Sequence, residues 1–327
     1  MARFILKRLL MMILVMMGVV LLVFSMIYFS PGKPEDYILG DMATPADKQA
    51  FRVENGLDKP FIVQYFIYLK NMTKGNLGIS YTTRRPAIDE ILERFTVTFK
   101  ISLLSIAFSI MVGIGTGVVS AVRQYSIWDN ISRVLAIAGM SMPNFWLGLM
   151  LILLFSVVLG WLPASGIATW KHWILPAITV GSASTASIMR MTRSSMLEAI
   201  RQDYIRTAKA KGQKNLVIIF VHAFRNAVIP IITIIGINFG FLLGGAAVVE
   251  TVFAIPGLGK LIVDGIKVKN APVVQGGIVF AAVVMSFINL IVDVLYAYVD
   301  PRIRSQYMRP RSKRRISEPS KGDAANA

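Results

Sequence analysis

Apolar residues in this chain gather into six long runs separated by polar connections. They do not alternate as on a half-buried strand. A helix needs about 20 mostly apolar residues to cross a bilayer. The runs are 9–29, 97–122, 134–159, 173–189, 227–249 and 276–299, and each predicts a transmembrane helix. Pro143 interrupts the third, and the fourth is short and rich in Ser, Ala and Thr. The first follows Arg3, Lys7 and Arg8. It is too long for the apolar part of a signal peptide, and Tyr28-Phe29-Ser30-Pro31 is a poor cleavage site, so it reads as a retained anchor.

Two connections carry patterns of their own. In segment 30–96, Thr44 and Pro45 predict a helix start and Gly56 its end. Pro60 starts a second helix with Phe61, Tyr65, Leu69 and Met72 on one face, and Gly75 and Gly78 end it. A third, 86–95, runs into the second span. These form a small helical cap that either packs on the span ends or meets a partner. In connection 190–226, Leu197, Ile200, Tyr204, Ile205 and Ala208 make an amphipathic helix that begins at Met196 and stops at Gly212. An apolar return follows at 216–220, and Pro230 sits in the first turn of the next span. Basic amphipathic helices can lie on lipid. Here Glu198 and Asp203 break the basic face, which suits a protein groove better.

Composition agrees with the run pattern. The chain of 327 residues is 55% hydrophobic and 16% charged, where soluble domains carry about 25% charged residues. Its net charge of +17 could suggest a polyanion, but the distribution along the chain explains it without one. With the N-terminus inside, pieces 1–8, 123–133, 190–226 and 300–327 hold 21 basic and six acidic residues, whereas segment 30–96 holds nine of each. A basic excess on one side is how membrane proteins set orientation. The expected location is a cytoplasmic membrane with both termini inside and lipid as the surroundings. No nucleic-acid partner is expected; the basic tail 300–327 reads as a disordered orienting segment.

Candidate chemistry is sparse. The chain has no cysteine, which excludes disulfides and thiolate metal sites. Gly113-Ile114-Gly115-Thr116-Gly117 lacks the third glycine of a dinucleotide loop and lies in a span. Gly257-Leu258-Gly259-Lys260 resembles a P-loop, but Leu261 stands where Ser or Thr would bind magnesium. His172 and His222 lie at opposite ends of different spans, so no metal or other cofactor is expected. Asp293 lies inside the sixth span, and Lys100 and Glu250 lie near outer ends where they can snorkel. The scarcity of midplane acids argues against a proton relay. Gly236, Gly240 and Gly244 repeat every four residues and predict close helix packing. With Asn238, Pro143 and Asp293 they are the candidate packing or translocation-path residues.

One stretch goes further. Asp203-Tyr204-Ile205-Arg206-Thr207-Ala208-Lys209-Ala210-Lys211-Gly212, then His222-Ala223-Phe224-Arg225-Asn226-Ala227 and Pro230, resembles the coupling loop of ABC importer permeases, dipeptide/oligopeptide/nickel branch. The general Glu-Ala-Ala-x-x-x-Gly pattern falls on Arg206, Thr207, Ala208 and Gly212, with departures at Arg206 and Thr207 that are usual for this branch; Glu198-Ala199 is a decoy. Gly56-Leu57-Asp58-Lys59-Pro60, Gly75-Asn76-Leu77-Gly78, Ser141-Met142-Pro143, Met191-Thr192-Arg193-Ser194-Ser195-Met196, Glu250-Thr251-Val252-Phe253 and Asp300-Pro301-Arg302-Ile303-Arg304 extend the likeness along nearly the whole chain. Lys269-Asn270-Ala271-Pro272 departs from it, since the branch commonly has an acidic residue and tyrosine before that proline.

The resemblance implies an all-α membrane protein with six transmembrane helices in the type I importer permease fold. It implies a second homologous permease, two ATP-hydrolysing subunits and an extracytoplasmic binding protein as partners. Residues Asp203–Lys209 and Gly212 would enter an ATPase cleft, and this chain would not itself hydrolyse ATP. The parts would be an anchor (1–29), a cap (30–96), a five-helix core with the loop 190–226 (97–299) and a tail (300–327). Peptide import is the first expectation. Nickel chelates, glutathione or another small solute are alternatives within the family, and a stand-alone ion-coupled carrier is the alternative outside it.

Overall fold

The computed structural model describes residues 2–40 and 42–299. The basic tail and the Asp300–Arg304 motif lie outside them. Helix α1 (Ala2–Tyr28) is followed by α2 (Pro34–Leu39), α3 (Pro45–Glu54) and α4 (Phe61–Met72). Then come α5 (Ala87–Val122), α6 (Ile127–Ser141) and α7 (Asn144–Leu151), which continues as π-helical turns over Ile152–Val158. Next are α8 (Ile174–Ile200), α9 (Asp203–Ala210) and α10 (Asn215–Val217), whose π-helical continuation Ile218–Phe224 leads into α11 (Arg225–Gly245). The short α12 (Ala247–Val252) and α13 (Leu258–Lys267) precede α14 (Ala271–Val299). No strand occurs among the described residues.

Four helical stretches are long and apolar enough to cross a membrane: 8–28 in α1, all of α5, 215–244 through α10 and α11, and 271–294 in α14. The third expected span differs from expectation. It begins at Ile127 and turns by 111° between α6 and α7, giving a fifth crossing only if the bent pair is one span. Pro143 has no amide hydrogen to continue the ladder, and it forces Met142 into an extended conformation (φ −79°, ψ 127°).

The fourth expected span is one helix of 27 residues that runs eleven residues past Met189. At 1.5 Å per residue that is about 40 Å, enough to cross. Its apolarity is low because it is the centre of the bundle: Leu175, Val180, Ala186, Ile188, Met189, Met196 and Ala199 are buried. A helix surrounded by protein has no need of a lipophilic surface. It packs along α5, where a Cβ on Gly113 would stand 2.9 Å from the Thr185 carbonyl and one on Gly117 2.8 Å from the Met189 carbonyl. Gly181 approaches the Ser105 carbonyl in the same way, at 2.9 Å. The nucleotide-loop look-alike at 113–117 is therefore a helix-packing surface.

The cap is seated on the bundle. Thr44 and Asp47 form a reciprocal capping box ahead of α3. Phe61 and Tyr65 of α4 lie edge-on to Phe24 of α1, at 5.4 and 5.5 Å between ring centres. On the other side, Asn270 accepts from the Tyr81 amide (3.1 Å) and donates to Ser80 and Thr82. The unusual Asn270 thus ties the cap to the α13–α14 connection. Glu250 is fully buried and does not snorkel. It accepts from Thr98 of α5 (2.6 Å) and from the Lys260 amide (2.8 Å). The P-loop look-alike at 257–260 is the turn that wraps this carboxylate at the start of α13.

Candidate functional site

The site is built around α9. Residues 196–208 are not one amphipathic helix: the chain breaks at Arg201-Gln202, so Leu197 and Ile200 belong to α8, and α9 stands alone from Asp203. Ile205 and Ala208, three residues apart on one face, are 1% and 6% exposed. They close a core with Val118 and Ala121 of α5, Met196 and Ala199 of α8, Ile218 and Ala223 of the π-helical turns, and Ala227 and Ile231 of α11. Four small alanines in this seat let α9 sit close.

The opposite face is solvent-exposed. It presents Asp203, Tyr204, Arg206, Thr207 and Lys209. Asp203 and Arg206 pair loosely at 3.6 Å on the open surface, which contributes little. Ile205 and Ala208 are therefore residues of the seat, and Asp203, Tyr204, Arg206, Thr207 and Lys209 are left facing outward.

The exit from α9 is held firmly. Gly212 has φ +73°, the left-handed region that glycine enters without penalty. Its amide donates to the Lys209 carbonyl (3.0 Å) and the Gln213 amide to the Ala208 carbonyl (3.3 Å), which is the Schellman closure of a helix. Gln213 then meets His222 Nε2 at 2.6 Å, and Asn226 donates to the His222 carbonyl. The apolar return at 216–220 is helical and runs into α11, so α9 is fixed to a long helix at each end. His172 is likewise occupied, by the Thr169 amide at 3.1 Å. No group of three potential metal ligands occurs among the described residues.

Next to this seat is a polar cluster that the sequence does not advertise. Asp129 of α6 is fully buried. It takes a two-point contact from Arg193 of α8 (2.8 and 2.9 Å), a hydrogen bond from Ser120 of α5 (2.5 Å) and one from the Tyr125 amide (3.0 Å). In the sequence Asp129 reads as the third residue of a Ser126-x-x-Asp129 helix start, which gives no sign of its burial or of Arg193.

The other candidates disperse. A Cβ on Gly236 would meet Val292 of α14 at 2.5 Å and one on Gly240 would meet Asn289 at 3.1 Å, whereas one on Gly244 would meet no described residue within 4 Å. We expect Gly236→Leu to lower the melting temperature of the purified subunit most, Gly240→Leu less, and Gly244→Leu hardly at all. A large loss at Gly244 would reveal a contact outside this chain. Asn238 has a buried amide nitrogen with no partner among the described residues. Asp293 pairs with Arg8 at 2.8 Å, joining the first and last long helices, and Pro143 marks the bend between α6 and α7.

Long apolar helices in one bundle, with a short seated helix between two of them, define a multi-pass helical membrane protein. The chain belongs to the family of binding-protein-dependent transport system inner membrane components, whose profile matches residues 113–305. The family's N-terminal membrane-component profile matches residues 1–102.

Among curated relatives, the dipeptide transport system permease protein DppB of Alkalihalophilus pseudofirmus is 41% identical over 91% of this chain and 98% of its own. The glutathione transport system permease protein GsiC is 42% identical in Pectobacterium atrosepticum and 41% in Escherichia coli K12, covering 93% of this chain and 99% of each. A solved chain of the inward-facing MetNI methionine ABC transporter superposes with a TM-score of 0.55 at 21% identity. It covers 65% of this chain and 97% of the solved one, which shows a shared fold.

Proposed function

We propose that this chain is a permease subunit of an ATP-binding-cassette importer for di- and oligopeptides, working with a second permease, two ATPase subunits and an extracytoplasmic binding protein. The observation that carries the reading is α9, seated by Ile205 and Ala208 on four other elements and exposed on its far side. A stiff helix tied to a long helix at each end can pass a push from a partner into the bundle. ATP hydrolysis resides in the partners. The likeness to DppB supports a peptide substrate, and the comparable likeness to GsiC makes glutathione the second reading.

Orientation and energy source are tested together. In intact cells, an impermeant maleimide is expected to label Met42→Cys, whose parent residue is 99% exposed, and to spare Lys211→Cys. The reconstituted assembly is expected to take up labelled dipeptide with ATP, to prefer it to glutathione, and to ignore an imposed pH gradient. Labelling of Lys211→Cys from outside, or uptake by the isolated chain on a pH gradient, would overturn the reading. Preference for glutathione would move the substrate to the second reading.

A further inference from the structure

The cluster around Asp129 borders the seat of α9 on two elements. Ser120, which bonds Asp129, adjoins Ala121 of the seat, and Arg193 stands one turn before Met196 of the seat. Helix α6, which carries Asp129, contributes no residue to that seat. Its buried apolar contact with α8 lies further along the helix, Ala136 against Ala186 and Met189, and around Asp129 the residues Ile127, Trp128, Val134 and Leu135 are exposed. The polar cluster is therefore the main fastening of this end of α6. At its other end, α6 leads through the 111° turn at Pro143 to α7, and Gly148 of α7 packs on Phe253 and Thr179.

A single hydrogen bond would leave α6 free to pivot. A two-point guanidinium–carboxylate contact fixes angle as well as distance, and burial keeps water from competing for it. Resting on the importer reading above, we propose that Asp129, gripped by Arg193 and Ser120, is a positioning residue for transport. It makes the α6–α7 elbow follow the seat of α9, so that a displacement of α9 reaches a part of the bundle that the seat does not include. The Met191–Met196 motif then has a mechanical role centred on Arg193.

The test uses the whole assembly in proteoliposomes and reads peptide uptake and ATP hydrolysis side by side. Asp129→Asn is expected to keep substrate-stimulated hydrolysis while uptake per ATP falls about tenfold, and Asp129→Glu is expected to restore most of the ratio. Arg193→Lys, which keeps the charge and loses the two-point grip, is expected to lower the ratio as Asp129→Asn does, and it serves where Asp129→Asn fails to insert. Parallel loss of both activities, tracking the amount of inserted protein, would mean a merely structural cluster and would overturn the proposal. So would unchanged uptake per ATP. The wild-type assembly run alongside separates the two levels: absence of ATP-driven uptake there defeats the importer reading itself, and the proposal with it.

Discussion

Replacing Gly117 by leucine is expected to abolish accumulation of the folded subunit. A Cβ at this position would stand 2.6 Å from Thr192 Cβ and 2.8 Å from the Met189 carbonyl oxygen. The second of these is backbone and cannot rotate away, so α5 and α8 would have to separate. Overpacking of this kind costs about 3 kcal/mol or more where no side chain can yield. Lipid offers little compensation, because helices in a bilayer are held by close packing rather than by exclusion from water. Two residues earlier, a Cβ on Gly115 would meet no described residue within 4 Å. Gly115→Leu should therefore accumulate and melt like the wild type in detergent, while Gly117→Leu should be degraded or aggregate. Equal behaviour of the two would mean that α5 and α8 do not pack on this face.

Gly212→Val is expected to leave the subunit inserted and assembled but to abolish peptide uptake and substrate-stimulated ATP hydrolysis. No described residue lies within 4 Å of a Cβ at Gly212, so the effect is one of backbone conformation and not of space. An L-residue at φ +73° is disfavoured by roughly 1–2 kcal/mol, and β-branching adds to it. Relaxation of that strain opens the Schellman closure and releases the Gln213–His222 contact. The exit of α9 then points elsewhere, and its outward face is misaligned. Asparagine enters the left-handed region more readily, so Gly212→Asn should retain most of the uptake. Normal uptake by Gly212→Val would show that the angle of α9 does not matter.

The fold is legible in the sequence where one periodicity acts alone. Apolar run length located α1, α5 and α14, and Thr44-Pro45 and Pro60 located the starts of α3 and α4, because caps and prolines act within a turn. It is hidden where tertiary packing replaces lipid. The interior helix α8 looks short in hydropathy since Ser, Thr, Ala and Arg face protein there, and its last eleven residues fall in a charged connection whose only helical pattern starts at Met196. The break at Arg201-Gln202 carries neither glycine nor proline, so 196–208 looked like one helix. Glycines are visible in the sequence but their contacts are not: spacing draws attention to Gly236, Gly240 and Gly244, whereas Gly113, Gly117 and Gly181 make the close backbone approaches between α5 and α8. The grip of Arg193 on Asp129 joins residues 64 positions apart, beyond any local pattern.

The central claim, that the exposed face of α9 meets an ATPase subunit, is tested most directly by cysteine crosslinking in the complete assembly, since the chain contains no native cysteine. Single cysteines at Arg206 and Thr207 are expected to crosslink to an ATPase subunit, with a yield that changes when ATP is trapped. Cysteines at the buried Ile205 and Ala208 are expected to stay unreactive. Capture of an ATPase subunit from Arg206 and Thr207 but not from Ile205 or Ala208 is the predicted result; failure to capture one from any exposed position between Asp203 and Gly212 would contradict it.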